Sequence, residues 1–150
     1  MEDKRVFIDT NVIVYADSND PTFGQIAKEK LLYYLKEGFE LWINRQVIRE
    51  YLVITSKKML TNKSYDSKRL VARTAQFDLQ FMVADDTKLV TDQLLRLVDK
   101  YQIKGKPIHD ASIIATMLIN GIDRLLTNNV SDFKRYDEDL IVVPLVGMAT

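Results

Sequence analysis

Short apolar runs alternate along this chain with longer segments of helical period, and this alternation restricts the fold more than any other feature. The runs are Val6-Phe7-Ile8, Leu41-Trp42-Ile43, Leu79 to Ala84, Leu125-Leu126 and Leu140-Ile141-Val142-Val143. Between them, apolar residues recur at helical spacing. One helical face holds Phe23, Ile26, Ala27, Leu31, Tyr34 and Leu35, and Gly38 stops it. A second holds Val47, Ile48, Tyr51, Leu52, Thr55 and Met59, and a weaker one runs from Leu70 to Phe77. Val90, Leu94, Leu97, Val98 and Tyr101 mark another, and Ala111 to Ile119 is apolar nearly all round. Asn11 to Tyr15 reads as a short helical piece. Asp17-Ser18-Asn19-Asp20-Pro21 and Thr61 to Ser67 read as loops, and Lys104-Gly105-Lys106-Pro107 as a break. Apolar strands alternating with helices indicate an α/β fold, a parallel sheet covered on both faces.

The length of 150 residues suits one domain, 1–150. No apolar run approaches the roughly 18 residues of a membrane span. The charged start, Met1-Glu2-Asp3-Lys4-Arg5, does not read as a signal peptide. With no cysteine, the chain has no disulfide or thiolate metal site, which fits a cytoplasmic location. Lys+Arg and Asp+Glu are both 21, so the net charge is zero. A non-specific nucleic-acid binder is usually basic overall, so any such contact must use a local patch. The densest basic stretch is Lys57, Lys58, Lys63, Lys68, Arg69 and Arg73. It reads either as solvated helix ends and a loop or as a rim that tracks phosphates.

Four acids stand at the edges of apolar segments: Asp9, Glu50, Asp110 and Asp132. Acids near a core cost stability, so their placement there suggests one converging site. In parallel sheets the functional crevice lies beyond the carboxyl ends of the strands. Asp9 directly follows the first strand, Asn128 and Asn129 follow the strand ending near Thr127, and Asp110 would open the buried helix. Each acid also has a plainer reading. Asp9 and Asp110 could be helix caps, Glu50 a solvated helix residue, and Asp132 a turn residue before Phe133. Asn128, Asn129 and Ser131 share that polar turn and could orient water or an acid. Carboxylates without cysteine suit hard cations such as Mg²⁺ or Mn²⁺. His109 has no second imidazole beside it and is not assigned as a ligand. Trp42 reads as core.

At these residues the chain resembles the PIN-domain family, and within it the VapC-type ribonuclease toxins. The resemblance rests on Phe7-Ile8-Asp9-Thr10-Asn11-Val12, Val47-Ile48-Arg49-Glu50, Ile108-His109-Asp110-Ala111 and Leu126-Thr127-Asn128-Asn129-Val130-Ser131-Asp132-Phe133. It implies a Rossmann-like α/β/α sandwich with a five-stranded parallel sheet. It also implies Mg²⁺- or Mn²⁺-dependent cleavage of single-stranded RNA, a homodimer and a cognate antitoxin protein. By position, Asp9, Glu50 and Asp110 match the family's acidic ligands, and Thr10 or Asn11 and Thr127 match supporting polar positions. Many relatives carry a fourth acid where this chain has Asn128 and Asn129, so that role is split between Asn129 and Asp132. Two other readings compete with the toxin. One is a PIN nuclease of RNA processing or decay without an antitoxin. The other is a PIN-like binding module that has lost catalysis.

Overall fold

The computed structural model describes residues 3–147, so Met1 and Glu2 of the charged start lie outside the described residues. Five strands form one sheet: β1 (Arg5–Ile8), β2 (Glu40–Asn44), β3 (Met82–Ala84), β4 (Arg124–Thr127) and β5 (Ile141–Pro144). Their order is β3-β2-β1-β4-β5, and every neighbouring pair is parallel. Val6, Phe7 and Ile8 of β1 and Leu125 and Leu126 of β4 are all fully buried. Burial of consecutive residues means that both faces of these strands are covered, which explains why they are apolar throughout.

The helices are α1 (Thr10–Ala16), α2 (Gly24–Lys36), α3 (Arg45–Thr61), α4 (Ser67–Ala75), α5 (Phe77–Gln80), α6 (Lys88–Tyr101) and α7 (Pro107–Ile119). A 3-10 helix covers Val130–Tyr136. Right-handed crossovers place α1 to α5 on one face and α6 and α7 on the other. The packing follows that division: α1 lies against α2 and α3, α3 against α4, and α6 along α7. The result is an α/β/α sandwich. No helix among the described residues is long and apolar enough to cross a membrane.

Three local expectations are corrected. The segment from Leu79 to Ala84 is not one strand, because Phe77–Gln80 form a helical turn and the strand is only Met82–Ala84. One turn puts Phe77 and Phe81 together in the core, edge to face at 5.6 Å, and leaves Leu79 89% exposed. Asp110 does not open the buried helix, which begins at Pro107. Proline suits a first helical position because its φ is already helical and its missing N–H would be unpaired there anyway. Leu35, counted on the buried face of α2, is exposed, while Ala27 and Tyr34 carry that face.

The chain runs β1 to β2 to β3 in one direction, then crosses back to place β4 on the other side of β1. The strand order therefore reverses between β1 and β4. A crevice opens at that point in open α/β sheets, beyond the carboxyl ends of the strands.

Candidate active site

Asp9 is the first residue past β1, and its N–H still bonds to the Leu126 carbonyl at 3.0 Å. It is also the N-cap of α1, with Oδ1 accepting from the Thr10 N–H at 2.8 Å. Capping and site membership therefore do not compete. One oxygen caps the helix, and Oδ2 accepts from the Thr127 hydroxyl at 2.7 Å and from Asn11 Nδ2 at 3.1 Å. Thr127 ends β4 and is fully buried, so the two central strands meet through this carboxylate. Asn11 ties the same corner together, because its Oδ1 accepts from the Asn128 N–H at 3.0 Å. Thr127 Oγ1 accepts in turn from the Asn129 N–H at 3.0 Å. Asn128 and Asn129 thus contribute backbone donors to the turn.

Glu50 is brought in from α3. The Thr10 hydroxyl donates to its Oε2 at 2.8 Å, and Gln46 Nε2 donates to its Oε1 at 2.7 Å. The same Gln46 amide reaches the His109 carbonyl at 3.0 Å, linking α3 to the first turn of α7. α3 is itself anchored at β2. Asn44 caps it through the Val47 N–H at 3.0 Å and donates to Thr116 of α7 at 3.2 Å. Gln46 and Asn44 were not among the candidates read from the sequence. Gln46 carried a usable signal, since it stands four residues before Glu50 on one helix. Asn44 had only the generic preference for an N-cap.

Asp110 lies in the first turn of α7, half-buried. The dipole of that turn favours a carboxylate. Even so, its carboxyl is pushed up to about 6, first by burial and then by the charges of Asp9, Asp132 and Glu50, with His109 opposing. Asp110 therefore lies within reach of the charges of the other three acids. Burial also raises Asp9, against the hydrogen bonds from Thr127 and Thr10, and Glu50 adds to the rise. Asp132 sits in the 3-10 helix with its side chain exposed, held there by the buried Phe133 and Tyr136. His109 is exposed, and its main-chain carbonyl is the group that enters the network. Trp42 is half-buried on β2, with its indole N–H 3.3 Å from Glu40.

Among the described residues, no three carboxylate or imidazole groups stand close enough to grip one cation directly. Mg²⁺ does not require that. It keeps several waters and binds through one or two carboxylates. The donors are all hard oxygens, and burial together with the neighbouring acids has raised Asp110, so a divalent cation would relieve an existing cost. The residues fit such an ion.

The family model for the PIN domain matches residues 6–139. No curated protein shows significant similarity to the chain. Among solved structures, VapBC2 from Rickettsia felis, bound to a DNA fragment from its promoter, is similar at 21% identity and a TM-score of 0.66, covering 93% of this chain and 98% of that one. VapBC-1 from nontypeable Haemophilus influenzae is similar at 18% identity and a TM-score of 0.65, over 94% and 98%. VapC20 of Mycobacterium tuberculosis, a sarcin-ricin loop cleaving toxin, is similar at 16% identity and a TM-score of 0.58, over 80% and 86%.

Proposed function

The chain belongs to the PIN-domain family, and from that premise we propose that it is a divalent-metal-dependent endoribonuclease, the toxin of a toxin–antitoxin pair. The observation that carries the reading is the hydrogen-bonded network that joins Asp9, Thr10, Glu50 and Gln46 to the first turn of α7, where Asp110 lies, at the switch point of the sheet. The structural neighbours support the toxin part, since two are toxin–antitoxin complexes and one is a toxin that cleaves a defined loop.

One or two of Asp9, Asp110 and Glu50 would ligate the ion, Mg²⁺ or Mn²⁺, directly and the remainder through its waters, with Asp132 at the open edge. When bound, such an ion neutralises charge on a phosphoryl group and lowers the pKa of water. The chain's own groups do the rest. Thr127, Asn11 and the Thr10 N–H orient both oxygens of Asp9. Thr10 and Gln46 fix Glu50, which can then accept a proton from an attacking water on the cleft side. Asp132, exposed at the rim, would meet substrate or a second ion. Products would carry a 5′-phosphate and a 3′-hydroxyl.

A second reading, a binding module without catalysis, is favoured by one observation: Asn128 and Asn129 occupy the turn where a fourth acid would complete the cage. Incubation of defined single-stranded RNAs with Mg²⁺, Mn²⁺ or EDTA separates the two. The nuclease reading expects cleavage with either metal, none with EDTA, and none from Asp9→Asn. Equal binding of RNA with no cleavage under any condition would support the module.

A further inference from the structure

A groove of about 900 Å³ is walled by α1, α3 and α4, and none of the four acids lines it. Two of its lining residues adjoin the acidic site along the chain. Tyr51, in its wall, directly follows Glu50, and Val14 lies one turn along the helix that Asp9 caps. Its charges are not balanced. Asp17 is consumed by Arg73, whose Nε and Nη2 reach it at 2.7 and 2.9 Å, and by the Tyr51 hydroxyl at 2.7 Å. Asp20 is held by the Thr22 and Phe23 N–H groups at 2.9 and 2.7 Å and keeps its charge. Lys58 of α3 and Arg69 of α4 also line the groove, and neither has an acidic partner among the described residues. Lys58 instead lies over the Tyr15 ring at 5.9 Å. Arg73 matches the charge of Asp17, and of the charges that remain in the lining Lys58 and Arg69 outnumber Asp20.

We propose that this groove carries the sugar–phosphate backbone of a single-stranded nucleic acid, with Lys58 and Arg69 as phosphate contacts that lead the strand to the acids. The site is built for a polyanion, since a net-neutral chain can hold one only where cations are locally unpaired. Lys58 stands eight positions from Glu50, about 12 Å along one helix, so one strand can meet both. The polar walls add an uncharged donor from Asn62. The basic stretch from Lys57 to Arg73 thereby divides. Arg73 is structural, and Lys58 and Arg69 are the strand contacts.

The inference rests on the ribonuclease reading for its direction, and the experiment keeps the two apart. Binding of a labelled single-stranded RNA to the full chain is measured by fluorescence anisotropy in EDTA, as a function of salt. Each phosphate contact on a single strand contributes about 0.7 to the slope of log K against log salt. Lys58→Ala with Arg69→Ala should therefore lower the slope by about 1.4, while the control pair Lys28→Ala with Lys36→Ala on α2 leaves it unchanged. An unchanged slope in the groove variant overturns the proposal, even if the chain cleaves RNA with Mn²⁺. So does an unchanged slope in a variant that has lost binding to a protein partner, which would make the groove a protein dock. A groove-dependent slope in a chain that never cleaves supports this inference and sinks the nuclease reading alone.

Discussion

Asp9 and Asp110 face the same crowding with different support. Asp9 accepts hydrogen bonds from Thr10, Thr127 and Asn11, whereas among the described residues none is donated to Asp110. Neutralising them should have opposite effects on the metal-free protein. Asp110→Asn removes a half-buried charge and its repulsion from the other acids, and should raise stability by about 1 kcal/mol after allowance for partial exposure, a rise in Tm of about 2–4 °C. Asp9→Asn turns an amide NH₂ toward a donor and should cost about 1–3 kcal/mol. Thermal melts of both variants in EDTA check this, and a destabilised Asp110→Asn would remove repulsion from the account. The same groups set a pH dependence. The Asp110 carboxyl titrates at about 6 in the fold, against roughly 3.9 when unfolded, so between those values the native state holds the extra proton. Stability of the metal-free chain should therefore rise as pH falls from 7 toward 5, and this gain is lost as pH climbs back through 6. Urea titrations in EDTA at both values measure it. Asp110→Asn should flatten the difference.

At the level of elements, one polar latch holds the outer helices. Asp17 at the end of α1 takes Arg73 of α4 and Tyr51 of α3, and Arg73 also stacks on Phe77 at 4.8 Å and reaches Gln80 at 2.7 Å. Both ends of the ion pair are about three-quarters buried, at 26% and 24% side-chain exposure. Arg73→Ala should cost about 2 kcal/mol in a urea titration. An unchanged midpoint would mean that Leu70 and Phe77 alone dock α4. None of this latch was legible beforehand, because Asp17 and Arg73 are joined only by tertiary packing across α3. The strands were legible for the opposite reason, since cover on both faces writes itself as an unbroken apolar run. The turn at Phe77 was not. Phe77-Asp78-Leu79-Gln80-Phe81 alternates as a strand would, and the edge-to-face pair of Phe77 and Phe81 overrides that pattern. The acids could be picked out by their place at segment ends. Their mutual arrangement could not, because Thr10 and Glu50 meet across 40 positions and through a helix angle that no period encodes.

For the whole molecule, the network at the switch point predicts behaviour that a scaffold would not show. A net-neutral chain is not captured by general charge, so inhibition should come from a specific protein whose Arg or Lys pairs with Asp9 or Asp110. Expression should arrest growth, relieved by the neighbouring gene, and light scattering should report a homodimer. A harmless monomer would favour a role in RNA processing. The central claim is narrower than any of these: acids from separate segments make one cation site. It is tested most directly by the melting curve in millimolar Mn²⁺, since an ion bound to the native state alone raises Tm. A clear rise is expected for the parent chain, with most of it lost in Asp110→Asn. A parent melting curve unmoved by Mn²⁺ would contradict it.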